Sequence, residues 1–277
     1  GVQGTETTDF TGITYDRTVP TLPSVVIESD NFYDVSLAKV DDEVSINFTT
    51  SEVIQTPTVI VGGDSATISG SNSSWLAVRD MTSTDDEGGL LFTIDFLDPA
   101  GNAGSQVIST TDGSGITFDR TAPTMSSVTI SSNNSNYNTL AKVADSVNIA
   151  IAANESIQEP VVSIGGMAAL ITGSATSWGA IRAMISGDPD GSIGFTIDYM
   201  DMAGNDGAQS TQTSDNSDVV FDKTSPTLSV SIASDNPTTY LAKPGDLVTL
   251  SVSVDEVLFS APTISIDTNS ETVNPSA

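Results

Sequence analysis

The feature that most constrains this chain is a repeat running its whole length. Tyr15-Asp16-Arg17-Thr18-Val19-Pro20 returns as Phe118-Asp119-Arg120-Thr121-Ala122-Pro123 and again as Phe221-Asp222-Lys223-Thr224-Ser225-Pro226, at a spacing of 103 residues. All eight Lys and Arg fall into three repeat-equivalent sets: Arg17/Arg120/Lys223, Lys39/Lys142/Lys243 and Arg79/Arg182. In a chain with 36 acidic residues and a net charge of −28, cations kept only at equivalent positions mark an array of one module. The period suits one compact domain per repeat, since domains commonly hold about 100–150 residues.

The copies align without a gap from residue 1 to the third motif. Residues 1–17 read as the last strand of a preceding module, 18–119 and 120–222 as complete modules, and 223–277 as the first part of a third. The third copy is two residues shorter before Lys243. On this reading the sequence begins and ends inside modules, and Gly1 suggests an internal fragment.

Hydrophobic alternation is β throughout. Val44, Ile46 and Phe48 alternate with Ser45, Asn47 and Thr49, as do Val147/Ile149/Ile151 and Val248/Leu250/Val252 in the later copies. Phe92, Ile94 and Phe96 repeat as Phe195, Ile197 and Tyr199. Period-2 patterns with polar alternates predict half-buried antiparallel strands. Turn-forming clusters break the chain at short intervals, for example Gly62-Gly63-Asp64 and Asp85–Gly89. About seven short strands per roughly 100 residues predict an all-β fold of tandem immunoglobulin-like β-sandwich modules in an elongated array. The expected strands are A (22–28), B (43–49), C (57–61), D (65–69), E (74–81), F (90–97) and G (105–118). Trp75 and Trp178 open strand E and are expected to pack in the core or at its rim. Arg79 and Arg182 are expected to be structural, snorkelling or bridging to acids.

Several functions are disfavoured by what the chain lacks. Without cysteine there is no disulfide or thiolate metal site, and without histidine there is neither the commonest general base nor the commonest transition-metal ligand. Nucleic acid is a poor partner, because phosphate binding needs clustered Lys and Arg. No apolar run approaches the roughly 20 residues that span a bilayer. Hard cations are the natural counter-charge, although acidity also serves solubility.

Topology predicts where the acids meet. In a sandwich of alternating strand direction, the B–C and F–G loops lie at one end, beside the linker that leads into strand A. Asp16 and Asp119 sit in that linker, Glu52 and Glu155 open the B–C loop, and Asp98 with Asn102 and Asp201 with Asn205 form the F–G loop. Asp222 and Glu256 begin the same set in the third copy. Three carboxylates and an amide at one spot, with no His or Cys, select Ca²⁺, which takes six to eight oxygens. A competing reading pairs Asp119 with Arg120, leaves Glu155 exposed and gives Asn102 only a turn-stabilising role. A second acidic group, Asp85-Asp86-Glu87-Gly88 and Asp188-Pro189-Asp190-Gly191, lies in the E–F loop at the opposite end, near Asp42 or Asp145. It is expected to be a solvated turn, with a second calcium as the minor alternative. Asp95 and Asp198 are expected to point outward from strand F.

These motifs resemble a known class. Phe-Asp-Arg-Thr-Ala-Pro at the module start, Leu-Ala-Lys-Val before strand B, Ser-Glu-x-Ile after it and Asp-x-Ala-Gly-Asn after strand F are similar to the bacterial Ig-like repeats of giant surface adhesins. The resemblance covers the whole chain. It implies an extracellular extender that projects a terminal binding domain, stiffened by calcium at junctions formed by Asp16, Glu52, Asp98 and Asn102, and by Asp119, Glu155, Asp201 and Asn205. The sequence departs from the pattern at Val40-Asp41-Asp42 and Val143-Ala144-Asp145, which lack the Gly of Pro244-Gly245-Asp246.

The expected function is therefore a structural spacer whose partners are neighbouring repeats of the same chain. Two alternatives stand beside it: a subunit of a self-assembling extracellular filament that binds other copies, and a carbohydrate- or receptor-binding module. An enzyme is disfavoured, because catalytic carboxylates are rarely duplicated along an array.

Overall fold

The computed structural model describes residues 15–266 and a strand at 269–270. The strand expected within residues 1–17 lies, up to residue 14, outside the described residues. The first repeat contains β1 (Ser24–Ser29), β2 (Leu37–Ala38), β3 (Glu43–Thr49), β4 (Thr58–Val61), β5 (Asp64–Ser65), β6 (Thr67–Ser71), β7 (Ser74–Asp80), β8 (Gly88–Gly89), β9 (Phe92–Asp95) and β10 (Thr117–Phe118). One sheet has the order β1-β3-β7-β6, a second β5-β4-β9, and a third, short one β2-β10-β8.

The second repeat follows the same plan. Its strands are β11 (Met125–Ser132), β12 (Leu140–Ala141), β13 (Ser146–Ala153), β14 (Val161–Ile164), β15 (Met167–Ala168), β16 (Leu170–Ser174), β17 (Ser177–Ala183), β18 (Gly191–Ser192), β19 (Phe195–Asp198) and β20 (Val220–Phe221). The orders β11-β13-β17-β16, β15-β14-β19 and β12-β20-β18 reproduce those of the first repeat. A separate compact unit begins at Asp222. In it, β21 (Leu228–Ser234) and β22 (Val248–Val254) pair antiparallel, and β23 (Ser265–Ile266) pairs with β24 (Asn269–Ser270).

The alternation read in the sequence becomes the core. Val44, Ile46 and Phe48 of β3 are buried, while Glu43, Asn47 and Thr49 of the same strand face water. They meet Val59, Val61, Phe92, Ile94 and Phe118 from the other sheets. Phe118 and Phe221 are among the largest fully buried side chains, and each contributes about 1.5–3 kcal/mol of transfer free energy. Trp75 joins this core at 8% exposure and Trp178 packs against its counterpart, as expected for core and rim positions.

Two expected strands take different paths. Strand D divides: β5 pairs with β4 and β6 pairs with β7, so the chain changes sheets at Ala66. Strand G, expected over 105–118, is not continuous. Val107 forms only an isolated bridge with Ile94, and ladder pairing resumes at Thr117–Phe118. Between them, Thr111 and Ser114 turn their hydroxyls to the outer edge of β1, accepting from Val25 N at 3.0 Å and Ile27 N at 3.0 Å. Ser214 and Ser217 do the same for Val128 and Ile130, at 3.1 and 2.9 Å. The physical reason is local. Asp112 Oδ1 accepts from Ser114 N, and Gly113 takes a left-handed φ of 80°, so the segment closes a turn instead of extending. The outcome shields an edge that would otherwise offer unpaired N–H groups to another chain.

Candidate functional site

The linker-proximal end of each of the first two repeats carries a carboxylate cluster. Single carboxylate oxygens of Asp16, Glu52 and Asp98 lie within 4.8 Å of one another, and so do those of Asp119, Glu155 and Asp201. The three acids of each set come from a linker, the loop after β3 or β13, and the loop after β9 or β19. Sequence separation is therefore no obstacle to their meeting.

The loop after β9 is built around its acid. Asp98 is fully buried, and Asn102 donates to it twice: the backbone N–H to Oδ1 at 2.8 Å and the side-chain amide to Oδ2 at 2.6 Å. The same amide reaches the backbone carbonyl of Asp16 at 3.4 Å. Asn205 repeats the pattern on Asp201 at 2.9 and 2.8 Å and on the Asp119 carbonyl at 3.0 Å. The Asn nitrogen thus pins both the loop acid and the linker, so its role is wider than the turn-stabilising one. Gln55 and Gln158, which sequence reading did not single out, donate from Nε2 to the carbonyls of Asp98 and Asp201 at 2.8 and 3.0 Å.

A second contact missed in the sequence ties the loop after β3 to the linker. Ser51 Oγ accepts from Thr21 N at 2.9 Å, Asn154 Oδ1 from Thr124 N at 2.7 Å, and Asp255 Oδ1 from Thr227 N at 2.8 Å. Each acceptor immediately precedes the glutamate of its set. The signal was available: all three copies place a short oxygen-bearing side chain there, though of three different types.

The electrostatics of the clusters are repulsive. Burial, then the charges of Asp16 and Asp98, pushes the Glu52 carboxyl above its ordinary value of 4.5. Burial, then Asp119 and Asp201, raises Glu155. Asp119 is raised from 3.8 by burial and by the charges of Asp201 and Glu87, against the lowering hydrogen bond from Thr121 N. For Asp98, burial alone would raise the pKa, but the hydrogen bonds from Asn102, Gly101 and Ala100 outweigh it and the net shift is downward. One oxygen of Glu52 is buried with no hydrogen-bond partner. In the unit beginning at Asp222, Glu256 is raised by burial and by Asp222 and Asp255, and it too has a buried oxygen without a partner.

The competing arrangements are not those found. Arg120 turns to Glu87, with Nε 3.8 Å from its carboxylate, and away from a pairing with Asp119. Glu155 is half-buried, and Asp119 Oδ1 accepts from Thr121 N at 3.0 Å.

The expectation of a solvated turn for the other acidic group needs correction. Asp85 and Asp188 are buried, and each is ion-paired to the arginine of the neighbouring strand, Asp85 to Arg79 and Asp188 to Arg182. The reason is register: Arg79 and Arg182 lie on the same face of β7 and β17 as the tryptophans, and such a cation under a sheet needs a buried counter-charge. Asp42, Asp145 and Asp246 are likewise committed, accepting from the amides of Asn31, Asn134 and Asn236 at 2.7, 2.7 and 2.8 Å. Among the described residues, the carboxylate clusters suited to an ion are the two at the linker-proximal ends. Asp95 and Asp198 are exposed as expected, each accepting from a nearby Gln side chain.

A cleft of about 510 Å³ in the second repeat, lined by Met184, Pro189, Ile193 and Phe195, lies apart from these acids. Its one lining carboxylate, Asp188, is the partner of Arg182.

No protein-family model and no curated protein matches the chain. Solved structures of tandem modules do. The fibronectin(III)-like modules of CbhA from Clostridium thermocellum match at 10% identity, with 72% of this chain and 94% of theirs covered and a TM-score of 0.34. A tandem from titin matches at 15% identity, with 71% of this chain and 65% of that one covered and a TM-score of 0.29. At these TM-scores the class rests on the strand orders of the two repeats themselves. The class is all-β, a tandem of immunoglobulin-like sandwich modules.

Proposed function

We propose that this chain is a spacer segment of an extracellular bacterial adhesin, at the cell surface or secreted, whose modules are stiffened by calcium at their junctions. The observation that carries the reading is recurrence. The same three-carboxylate set stands at the start of both complete modules, and each set joins a linker acid to two loop acids. A catalytic pair would need to be placed once; an ion site that joins a linker acid to two loop acids recurs with the module.

The residues fit such an ion. All donors are oxygens, which suits Ca²⁺ over transition metals. Arg79 and Arg182 are engaged inside their modules and Arg120 on Glu87, so these three guanidinium groups are committed to other acids. The partnerless oxygen of Glu52 is buried beside two further carboxylates, where a divalent cation would offset the repulsion. Asp16, Glu52 and Asp98 would hold one ion and Asp119, Glu155 and Asp201 another, with Asn102 and Asn205 holding the loop acids in place. Asp222 and Glu256 supply the start of a third set. When bound, calcium would partly neutralise the three carboxylates and tie the linker acid to the two loop acids. The motif resemblance and the tandem fold support the adhesin assignment.

A calcium titration of the full chain by calorimetry, compared with Asp119→Asn, tests this. The variant is expected to lose one set of binding heats and keep the rest. Absence of any calcium heat in the unaltered chain would sink the reading.

A further inference from the structure

The first repeat holds the linker's own Arg120 and Thr121 and, through a second loop, touches the second repeat at the turn that carries Asp201, so both contacts land next to the acids of the second cluster. The first is made by Glu87, in the loop after β7. Its Oε1 accepts from Arg120 N at 3.0 Å and from Thr121 Oγ1 at 2.6 Å, and the Arg120 guanidinium donates to the Ser83 carbonyl in the same loop. Arg120 and Thr121 directly follow Asp119. Hydrogen bonds to an ionised carboxylate are roughly twice as strong as neutral ones, and here two consecutive residues converge on one oxygen.

The second contact comes from the loop between β1 and β2. Asn31 is buried, with 5% of its surface exposed, and its amide nitrogen is shared between Asp42 Oδ2 at 2.7 Å and the carbonyl of Ala203 at 2.8 Å. Its amide oxygen accepts from Tyr33 N and Asp34 N at 3.0 and 3.2 Å, which fixes which end of the amide faces Ala203. Beside it, the Tyr33 ring lies against Gly204: a Cβ at that glycine would meet the ring at 2.6 Å. Ala203 and Gly204 belong to the turn that carries Asp201.

We propose that the first module grips the second at these two points, Glu87 on Arg120–Thr121 and Asn31 with Tyr33 on Ala203–Gly204, and that the grip fixes the inter-module angle without a cation. A covalent linker alone leaves neighbouring domains free to reorient, which is the default for small polar interfaces. A linker flanked by contacts from two different loops is restrained at three separate points. The same contacts hold the segments bearing Asp119 and Asp201, making Glu87, Asn31 and Tyr33 positioning residues for that cluster. The equivalent positions one repeat later are Asp190 for Glu87 and Asn136 for Tyr33.

Because the chain has no native cysteine, spin labels can be placed at will. Asn47→Cys and Ala150→Cys put one on an exposed position of each module. Pulsed electron paramagnetic resonance on the full chain then reads the distribution of the distance between them. In chelator, a single narrow distribution is expected for the otherwise unaltered chain. Combining Tyr33→Ala with Glu87→Ala should at least double its width; Tyr33→Phe, which keeps the ring, and Asp190→Ala should not. A chelated parent as broad as the double variant would overturn the proposal, as would a double variant that stays narrow. Circular dichroism of the double variant establishes that both modules remain folded, since the altered side chains lie outside the cores. Calcium reports separately: if it fails to narrow the double variant, the calcium reading loses support and the grip stands.

Discussion

Arg182 and Asp188 meet inside the second module with Nη2 and Oδ1 2.6 Å apart, and neither side chain exposes more than 9% of its surface. The guanidinium also donates to the Ile164 carbonyl at 3.2 Å, tying β17, β14 and the loop after β17 together. The same relationship recurs between Arg79 and Asp85. Removing one partner leaves an uncompensated buried charge. Asp188→Ala is therefore expected to destabilise its module by about 3–5 kcal/mol, whereas replacing both partners with apolar residues of similar volume should cost far less. Urea denaturation of the full chain, following the transition of the second module, compares the two. Equal losses would argue against charge burial as the cause.

The clusters should reverse the effect of one substitution according to calcium. Glu52 is raised by burial and by Asp16 and Asp98, so its ionised form opposes folding when no cation is present. Glu52→Gln is expected to raise the melting temperature in chelator. In calcium the same variant should gain less than the parent, whose stabilisation at a hundredfold excess over Kd is about 2.7 kcal/mol per site. Scanning calorimetry in both buffers reads the sign; a variant less stable than the parent in chelator would contradict the repulsion argument.

A pH profile follows from the same charges. Glu52, Asp119, Glu155 and Glu256 have folded-state pKa values above their ordinary ones, so their contribution is full at low pH and lost as pH rises through the raised values. Asp85, Asp98 and Asp145 are shifted the other way, and their contribution is present above the ordinary 3.8 and lost as pH falls through the lowered values. In chelator, stability should climb as pH falls from neutrality toward the raised carboxyl values, then drop below the ordinary range. Calcium should flatten the climb, because it favours the ionised clusters. Melting temperatures across pH 3–8, on the order of half a unit apart, test both limbs.

Two equivalent glycines should respond differently. Gly101 and Gly204 have φ angles of 95° and 89°, a backbone conformation that costs an alanine roughly 1–2 kcal/mol. A Cβ at Gly101 meets nothing within 4 Å, but at Gly204 it runs into the Tyr33 ring. Gly101→Ala is expected to show the backbone cost alone. Gly204→Ala should add a broadened inter-module distance, and Gly204→Ala with Tyr33→Ala should return the melting curve to that of Gly101→Ala.

Much of the fold was legible because sandwich strands advertise themselves by alternation. Val44, Ile46 and Phe48 could bury together on only one face, and the repeat supplied the pattern three times. The meeting of Glu52 with Asp98 was legible too, since strand direction alone sends their loops to one end. The break in the last strand was not, because Thr111 and Ser114 read equally well as strand residues. Only their reach to the N–H groups of Val25 and Ile27 distinguishes a turn from an extension. Asp85 was read as solvated because its loop composition says turn; Arg79 was expected to snorkel or bridge to acids, but its partner among the nearby carboxylates was not legible.

By itself, then, the sequence determined the module, its period, its β character and the end at which the acids gather. These follow from short-range periodicity and strand direction, which each copy carries in full. The tertiary structure decided which cations the buried acids neutralise, how Asn102 and Asn205 clamp their loops, and that Tyr33 and Glu87 reach across to the next module. The ion pairs and clamps recur in both repeats, but the reach of Asn31 and Tyr33 to Ala203 and Gly204, 172 positions apart for the hydrogen-bonded pair, crosses from one repeat to the next, where the pattern within a repeat carries no signal.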